Sequence, residues 1–325
     1  MINICIVGFG AIGPIHAEAL KDIDGVKIYG ICDIQKDLAD KVASEYGCKA
    51  FYDYDECLKD KNIDSVHICT PHYLHFEMIT KALDAGKKVV SEKPLVMKKE
   101  ELDTLYEKYD TSKVFPIIQN RTNPSIVKLK ELITSNDYGQ LKAVKGIVTW
   151  CRNEAYYNSA QWRGTLKYEG GGVLINQTVH TLDLMVYLGG GVKSVSSSMC
   201  NHSLKGVIEV EDTLNSYIEF KNGAKGIFFA TNAYPLNSGI QFEMEFENKS
   251  FLYNNGALYS DGEMICADAD KAVGKIYWGN GHARTLKDCY AGGSKLCADD
   301  VKDTMYTMFA MYESANKGEE VNLQI

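Results

Sequence analysis

The sequence lacks several features that mark particular classes of protein. No apolar run approaches the roughly 18 residues that a membrane-spanning helix requires. The N-terminus, MINICIVGFG, has neither the basic region nor the small-residue cleavage site of a secretory signal. Basic residues are not in excess, because 35 Lys and Arg stand against 43 Asp and Glu. We therefore expect a cytoplasmic protein that binds neither nucleic acid nor membranes.

The cysteines also lack the spacing that would give them a chemical role. The chain has ten of them, but no C-x-x-C pair and no group of Cys and His with zinc-site spacing. Several lie in apolar, strand-like runs, where a free thiol behaves as a small hydrophobic side chain. We expect reduced cysteines and no metal site.

The first third of the chain alternates strand-like and helix-like segments at a regular interval. A length of 325 residues is enough for two domains. Alternation of this kind is typical of a parallel sheet with helices on both faces. The predicted strands cover residues 2–7, 26–32, 49–52, 65–69, 88–91 and 114–118. Residues 1–120 are therefore predicted to form a doubly wound α/β domain.

The pattern changes after residue 120. A helix over residues 125–134 and a strand over 143–151 precede an aromatic loop, three glycines and an apolar helix over 173–188. Strand-like runs from 192 to 265 are separated by turn signals, and a last helix over 299–317 ends before Gly318. Residues 121–325 are predicted to form an α+β domain on an open, mainly antiparallel sheet.

A glycine-rich loop follows the first predicted strand. It matches G-x-G-x-x-G and consists of Gly8, Phe9, Gly10, Ala11, Ile12 and Gly13. In such loops the first glycine permits a tight turn, the second lets the backbone approach a pyrophosphate, and the third lets the helix pack closely on the strand. Asp33 ends the second strand, where a carboxylate binds the adenosine ribose and repels a 2′-phosphate. The pattern predicts NAD in preference to NADP; a glycine-rich turn without a nucleotide is the alternative.

Three more segments accompany this loop. They are C-T-P-H-Y-L-H at residues 69–75, S-E-K-P-L at 91–95 and G-G-G-V-L-I-N-Q-T-V-H at 170–180. In this order, the set resembles the glucose–fructose oxidoreductase/inositol dehydrogenase/rhizopine catabolism (Gfo/Idh/MocA) family over nearly the whole chain. The resemblance implies an NAD(P)-dependent sugar or polyol dehydrogenase with an N-terminal Rossmann domain and a C-terminal α+β domain. It also implies a homodimer or homotetramer formed through the open sheet of the second domain.

Two residues are the predicted catalytic groups. Lys93 follows the fifth strand, and its ammonium could stabilise an alkoxide that forms on the substrate. Pro94 restricts Lys93 to an extended backbone, which would help fix its direction. His180 could take the hydroxyl proton as a general base, and the resemblance implies the same role for it. Asn176, His180 and Asp183 are spaced i, i+4, i+7 and therefore share one face of the predicted helix. Asp183 could orient the ring of His180 or be purely structural.

Asn176 departs from the usual pattern of the family, which has Asp four residues before the catalytic His. A subset of sugar dehydrogenases shares the Asn, often with a W-R-G-T segment such as residues 162–165 here. A neutral amide cannot raise the pKa of His180 by charge, as a carboxylate would. We therefore expect Asn176 to hydrogen-bond the sugar instead.

The remaining candidates are expected to contact cofactor or sugar. Besides the glycine loop and Asp33, the cofactor candidates are Thr70, Pro71, His75, Glu92 and Lys93. The substrate candidates are Lys93, Arg121, Tyr157, Trp162, Arg163, Asn176, His180 and His282. Planar hydrogen-bonding groups and aromatic faces suit a carbohydrate, although an aromatic loop can equally be a packing seam. Two of the arginines together would also suit an anionic sugar.

Three functions are consistent with the sequence. The leading hypothesis is an NAD-dependent dehydrogenase that oxidises a secondary hydroxyl of a cyclic sugar, polyol or sugar derivative. Some relatives of this fold instead cleave glycosides by transient oxidation and elimination, with NAD recycled. A sugar- or NAD-sensing regulator is the third hypothesis. The presence of both Lys93 and His180 favours an enzyme, because a sensor needs neither.

Overall fold

The chain divides into two compact units. The computed structural model describes residues 1–268, 281–291 and 296–324. One unit comprises Met1–Ile118 and Gly281–Asp300, and the other comprises Gln119–Asn280 and Val301–Ile325. The sequence places a single boundary at residue 120. In the structure the chain changes unit after Ile118, and the late segment Gly281–Asp300 packs with the first unit, which no local pattern indicates.

The first unit is a parallel sheet with helices. Its strands are β1 (Ile2–Val7), β2 (Val26–Cys32), β3 (Lys49–Phe51), β4 (Ser65–Ile68), β5 (Lys88–Ser91) and β6 (Val114–Pro116). Its helices are α1 (Gly13–Leu20), α2 (Lys36–Tyr46), α3 (Tyr54–Lys59), α4 (His75–Asp84), α5 (Lys99–Lys108) and α10 (Gly281–Ala291). Within the described residues the strand order is β3-β2-β1-β4-β5-β6, and every pairing is parallel. The predicted doubly wound sheet is confirmed. Ligands of such sheets bind at the carboxyl ends of the strands, where the order reverses between β1 and β4.

The core of the first unit explains why α10 belongs to it. Ile4 and Ile6 of β1 are fully buried, as expected for a central strand covered on both faces. Ala17 of α1 packs into the same core, and so do Leu286 and Cys289 of α10. Helix α10 thus buries its apolar side chains in this unit, although more than 160 residues of the chain separate it from β6.

The second unit is built on a larger sheet. Its strands are β7 (Leu141–Thr149), β8 (Val192–Cys200), β9 (Thr213–Phe220), β10 (Lys225–Thr231), β11 (Gln241–Phe246), β12 (Ser250–Asn254), β13 (Ala257–Ser260), β14 (Glu263–Ala267) and β15 (Val321–Asn322). Its helices are α6 (Pro124–Thr134), α7 (Glu154–Tyr157), α8 (Leu166–Glu169), α9 (Val179–Gly189) and α11 (Lys302–Lys317). In the described part of this unit the strand order is β14-β13-β12-β11-β7-β10-β9-β8-β15. Neighbouring strands are antiparallel except β7 and β10, so the predicted mainly antiparallel sheet is confirmed.

One face of this sheet is packed and the other is open. In β10 the side chains alternate: Phe228 and Ala230 are buried, whereas Ile227 and Phe229 are exposed. Helices α9 and α11 pack on the sheet, and Met185 of α9 lies against the backbone of β7. Among the described residues no helix is both long and apolar enough to cross a membrane.

The predicted helix over residues 173–188 differs from the structure. Val173–Thr178 forms a π-helical turn, and the α-helix α9 begins only at Val179. A π turn takes more residues than an α turn and is frequent at functional sites. The predicted common face of Asn176, His180 and Asp183 assumed one regular α-helix; His180 and Asp183 do lie in α9, but Asn176 lies in the π-helical turn before it. The last helix is also shorter than predicted, because Ala298–Val301 is a 3₁₀ turn that precedes α11.

Candidate active site

The glycine loop after β1 is shaped by two glycines and left open at a third. Gly8 has φ of 85°, and a Cβ there would lie 3.0 Å from the carbonyl oxygen of Cys69. A Cβ on Gly13 would lie 2.6 Å from the Gly8 oxygen, so both positions require glycine. A Cβ on Gly10 would meet no described atom within 4 Å. The loop therefore presents exposed backbone at Gly10, where a pyrophosphate can approach.

The start of α1 is suited to phosphate groups. Among the described residues no side chain caps this helix, so its first N–H groups are not bound by a capping side chain. Pro14 in the first turn has no N–H to satisfy. Free N–H groups and the positive end of the helix dipole attract phosphate. The residues present therefore fit a dinucleotide.

The Asp33 carboxylate holds the glycine loop. Its Oδ2 accepts a hydrogen bond from the Phe9 N–H at 2.9 Å, and its Oδ1 accepts one from the Gln35 N–H at 2.9 Å. A carboxylate has about four acceptor sites, so it retains capacity for ribose hydroxyls. The next residue, Ile34, is 88% exposed and offers no positive charge to a 2′-phosphate. The arrangement favours NAD, as the sequence predicts.

Glu92, Lys93 and Pro94 follow β5 and form a turn, the E-K-P turn, which is anchored on both sides of Lys93. The buried Glu92 carboxylate lies 3.1 Å from His16 Nε2 and 3.2 Å from His282 Nε2. On the other side, His75 lies 2.6 Å from the Pro94 carbonyl oxygen through Nδ1. Lys93 itself is half-buried. Glu92 and His75, predicted as cofactor contacts, thus hold the turn in place, and His282, predicted as a substrate contact, binds Glu92.

Two predicted cofactor contacts lie on the neighbouring loop, after β4. Thr70 and Pro71 are both half-buried, and the Thr70 carbonyl oxygen lies 2.9 Å from His75 Nε2. The His75 imidazole therefore lies between this loop and the E-K-P turn. Both loops lie at the carboxyl edge of the parallel sheet, where the predicted cofactor would bind.

In the second unit, Arg121 and Asp183 form a buried ion pair. The Arg121 Nε donates to Asp183 Oδ2 at 2.7 Å, and Nη2 donates to Oδ1 at 2.6 Å. The Thr304 hydroxyl adds a hydrogen bond of 2.8 Å to Oδ1. Asp183 is fully buried and Arg121 is 8% exposed. The predicted substrate contact Arg121 is therefore neutralised by Asp183, and Asp183 serves this ion pair.

Asn176 binds a carboxylate that the sequence analysis missed. Its Nδ2 donates to Oε1 of Glu169, whose Oε2 accepts from the Gly164 N–H. Glu169 is fully buried, so its charge depends on these partners. The one local signal for it was an acidic residue directly before the three glycines. A carboxylate therefore does contact residue 176, and it comes from seven residues earlier in the chain.

Glu211 is a second buried carboxylate that no local sequence pattern indicates. Its carboxylate accepts from the Gly172 N–H at 2.8 Å and from the Leu174 N–H at 3.1 Å. The Tyr312 hydroxyl donates to it at 2.8 Å. Burial raises the pKa of Glu211 despite these donors. A Cβ on Gly172 would lie 1.9 Å from the Glu211 carbonyl oxygen, so only glycine lets the π-helical turn begin here.

The aromatic loop has an inner and an outer part. Tyr157 is 3% exposed and packs in an apolar cluster, while its hydroxyl accepts from Asn232 Nδ2 at 3.0 Å. The Arg163 guanidinium lies over the rings of Tyr156 at 4.4 Å and Trp162 at 4.7 Å. Of the predicted sugar contacts in this loop, Tyr157 is a core residue, whereas Trp162 and Arg163 form a partly exposed stack.

His180 lies in the first turn of α9. Every residue of this helix is described, and all but His180 and Tyr187 are buried. A partly exposed histidine on an otherwise buried helix can reach a substrate without unfolding the core. This position is consistent with the predicted role of His180 as a general base.

A parallel sheet with a phosphate-binding loop, joined to an α+β unit, defines a dinucleotide-binding oxidoreductase. Residues 2–118 match the family model described as "Oxidoreductase family, NAD-binding Rossmann fold", and residues 126–251 match the "GFO/IDH/MocA C-terminal domain". The chain belongs to the Gfo/Idh/MocA family of oxidoreductases. Its first unit is the NAD-binding Rossmann fold, which confirms the predicted cofactor.

Named relatives support this assignment. The chain is 30% identical to the scyllo-inositol 2-dehydrogenase (NAD(+)) of Bacillus subtilis (strain 168) over 251 residues, which cover 75% of this chain and 71% of that protein. It is 29% identical to the myo-inositol 2-dehydrogenase of Thermotoga maritima over 235 residues, covering 70% and 67%. The crystal structure of the WlbA dehydrogenase from Bordetella pertussis, in complex with NADH and UDP-GlcNAcA, superposes with a TM-score of 0.88. That protein is 25% identical, and the match covers 100% of this chain and 98% of that chain.

The first prediction concerns cofactor choice. Asp33→Asn should weaken the preference for NADH over NADPH by roughly tenfold, because the charge that repels a 2′-phosphate is lost while one acceptor oxygen remains. Binding of each cofactor is measured by fluorescence quenching. Asp37→Asn, an exposed acidic residue on α2, is the control for net charge. Equal affinity of the parent protein for both cofactors would contradict the prediction.

The second prediction concerns stability against pH. Burial lowers the pKa of His16, His67 and His75 below their usual values. Below pH about 6.5 the unfolded chain then binds protons that the folded chain does not, so the free energy of unfolding falls as pH falls. The slope is at most about 1.4 kcal/mol per pH unit for each histidine. Urea unfolding at pH 7, 6 and 5 measures it, and a flat profile refutes it. Replacement of the exposed His202 by Gln should leave the slope unchanged.

The third prediction tests the Asn176–Glu169 contact. Asn176→Asp would bury two carboxylates against each other, which should cost about 3 kcal/mol of stability and reduce turnover. Adding Glu169→Gln should restore both, because the amide and the carboxylate then exchange places. A double variant no better than Asn176→Asp would show that the contact is unimportant.

Proposed function

We propose that the protein is an NAD-dependent dehydrogenase that moves a hydride between nicotinamide and a secondary hydroxyl of a cyclic sugar, polyol or sugar derivative. The observation that carries the proposal is Lys93, which stands at the carboxyl end of β5 in an NAD-binding unit with the residues on both sides anchored. A dehydrogenase needs one polar group held rigidly at the substrate hydroxyl, and this turn provides it.

Each predicted catalytic group has a distinct task. The Lys93 ammonium donates a hydrogen bond to the reacting hydroxyl oxygen and stabilises negative charge as the proton leaves. His180 accepts that proton as the general base. Bound NAD supplies the acceptor for the hydride. The Glu211 carboxylate caps the π-helical turn that leads into α9 and so limits the movement of the segment that carries His180.

The second unit favours an uncharged ring as the substrate. Of the two arginines that could have bound an anionic sugar, Arg121 is already paired with Asp183. The partly exposed stack of Trp162, Arg163 and Tyr156 offers flat surfaces and N–H donors, which suit a cyclic polyol. Two of the relatives described above act on inositols. We therefore place cyclic polyols and neutral hexoses first among candidate substrates.

The fourth prediction tests the reaction. Inositols, hexoses, uronic acids and glycosides are each incubated with NAD, and NADH is followed by absorbance. With an active substrate, Lys93→Met should lower turnover at least about a hundredfold while leaving NADH affinity nearly unchanged, because a donor to the developing alkoxide is lost. Lys98→Met, an exposed lysine beyond the turn, is the matched control.

Net NADH formation separates the three hypotheses. A dehydrogenase forms one NADH for each sugar oxidised. An NAD-recycling glycoside-cleaving enzyme consumes a glycoside without accumulating NADH. A sensor binds a sugar or NAD without turnover, and retained turnover in Lys93→Met would remove Lys93 from the mechanism.

We also propose a cytoplasmic homodimer or homotetramer formed through the sheet of the second unit. On the open face, Tyr217 of β9 is 48% exposed, and Ile227 of β10, its partner in register, is 54% exposed. Phe229 follows on the same face at 36% exposure. Adjacent exposed apolar side chains on a flat sheet are typical of a surface that pairs with another protein.

The fifth prediction tests this surface. Ile227→Asp should convert the oligomer to smaller species, because a buried, unpaired carboxylate would be costly in an apolar interface. Light scattering after size-exclusion chromatography gives the mass. Ile34→Asp, which is 88% exposed in the first unit, is the control. A parent protein that is monomeric at micromolar concentration would contradict the proposal.

A further inference from the structure

A hydrogen-bonded chain of buried side chains runs through the first unit behind Glu92. His16 of α1 contacts Glu92 through Nε2 at 3.1 Å and His67 of β4 through Nδ1 at 2.9 Å. His67 Nε2 then lies 2.7 Å from the Tyr290 hydroxyl of α10, which lies 2.8 Å from the Ser65 hydroxyl. The histidines and Ser65 are fully buried.

The hydrogen-bonded chain of side chains forms a closed ring, because α10 contributes to it twice. This helix supplies Tyr290 at one end and His282 at the other, and His282 Nε2 lies 3.2 Å from the same oxygen of Glu92. Three elements that are far apart in the sequence are thus joined around one carboxylate: α1, the end of β5 and α10. Burial alone would raise the pKa of Glu92, but the hydrogen bonds from His16 and His282 outweigh it and hold that pKa well below its usual value.

The positions of the protons follow from counting donors and acceptors. An ionised Glu92 only accepts, so both Nε2 atoms that contact it carry hydrogen. Burial lowers the pKa of His16 and His67, so both are neutral near pH 7. His16 must then accept at Nδ1 from His67 Nδ1–H, and His67 must accept at Nε2 from Tyr290. With Ser65 donating to Tyr290, every contact of the chain has one donor and one acceptor.

The other side of the E-K-P turn is held by a third buried histidine. His75 of α4 lies 2.6 Å from the Pro94 carbonyl oxygen through Nδ1 and 2.9 Å from the Thr70 carbonyl oxygen through Nε2. Because burial lowers its pKa, the imidazole carries one N–H, and the shorter contact assigns that hydrogen to Nδ1, toward Pro94. It is fully buried, and its pKa is raised by the charge of Glu92 and lowered by that of Lys93. Lys93 therefore lies between two residues, and each of them is fixed by imidazole groups from other elements.

We propose that His16, His282 and His75 are positioning residues that hold the E-K-P turn from both sides and thereby orient the Lys93 ammonium toward the substrate hydroxyl. The inference rests on the proposed role of Lys93 and adds residues that do not touch the reacting atoms. Displacement of a catalytic group by about 1 Å can cost a hundredfold in rate. Loss of the positioning histidines should therefore lower turnover more than it weakens binding.

A metal ion is the competing explanation for part of this cluster. Among the described residues, His16, Glu92 and His282 are the group whose donor atoms lie close enough to hold one, all within 4.8 Å of one another. Two histidines and a glutamate are also a known ligand set for zinc. The hydrogen-bonded chain satisfies the same atoms without a metal, and a metal would require both Nε2 atoms to lose their hydrogens.

The first experiment reads the protons directly and does not depend on activity. Long-range ¹H–¹⁵N correlation spectra of protein labelled at histidine, at pH 7 and with NADH bound, assign the tautomer of each imidazole. We expect hydrogen on Nε2 of His16 and His282 and on Nδ1 of His67. Hydrogen on Nδ1 of both His16 and His282, or one equivalent of zinc in the purified protein, would overturn the proposal.

The second experiment separates positioning from simple stability. Gln can keep an N–H donor toward Glu92, whereas Leu cannot. We therefore expect His282→Leu to lower kcat at least tenfold, with KM for the sugar and the Kd of NADH changed less than about threefold. His282→Gln should recover most of kcat. Leu102→Ala, a buried position on α5 outside the turn, is the control for lost thermal stability and should keep the parent kcat.

The outcomes distinguish this inference from the proposed function. If Lys93→Met abolishes turnover but His282→Leu and His75→Leu keep the parent kcat, the positioning role of the histidines is refuted and the proposed role of Lys93 is kept. If Lys93→Met retains turnover, the role of Lys93 fails and the positioning inference fails with it. Should His282→Leu not fold, His16→Leu and His75→Leu replace it, and equal losses of kcat in the Leu102→Ala control would refute positioning.

Discussion

A buried carboxylate must be supplied with hydrogen-bond donors, and this requirement shapes the functional parts of both units. A charged carboxylate out of water is costly unless N–H or O–H groups surround it. Glu92 is surrounded by imidazoles, Glu211 by backbone N–H groups and a tyrosine, and Asp183 by a guanidinium. In each case the donors come from distant parts of the chain. The carboxylate therefore fixes separate segments relative to one another within its unit.

For function, the consequence is that the backbone segments carrying the proposed catalytic residues are held rigidly. Lys93 has a long side chain and His180 is partly exposed. On a mobile backbone, neither side chain would keep a precise position. The backbone on each side of Lys93 is held by histidines, and the turn that precedes His180 begins on the Glu211 carboxylate. A reaction that joins proton transfer to hydride transfer benefits from this, because both depend steeply on geometry.

Much of the fold and of the cofactor loop could be predicted because both depend on local patterns. Strand and helix periodicities identified the parallel sheet, and the strand boundaries of β1, β2 and β5 agree with the prediction to the residue. The roles of Gly8 and Gly13 follow from sterics within one turn, which the structure bears out at 3.0 Å and 2.6 Å. The predicted regular helix at 173–188 was wrong, since its start is set by Glu211 about 40 residues away.

The sequence by itself determined which residue types stand at the cofactor loop, the E-K-P turn and the start of α9, because each is a short segment with its own local rules. Only the tertiary structure decided what surrounds them. Glu92 and His282 are 190 residues apart in the chain, and Glu169 was adjacent to three glycines with nothing to link it to Asn176. The pairing of Arg121 with Asp183 and the packing of α10 in the first unit are of the same kind. Hydrogen bonds and ion pairs between distant residues leave no periodicity in a sequence, since they depend on where the folded backbone brings each side chain.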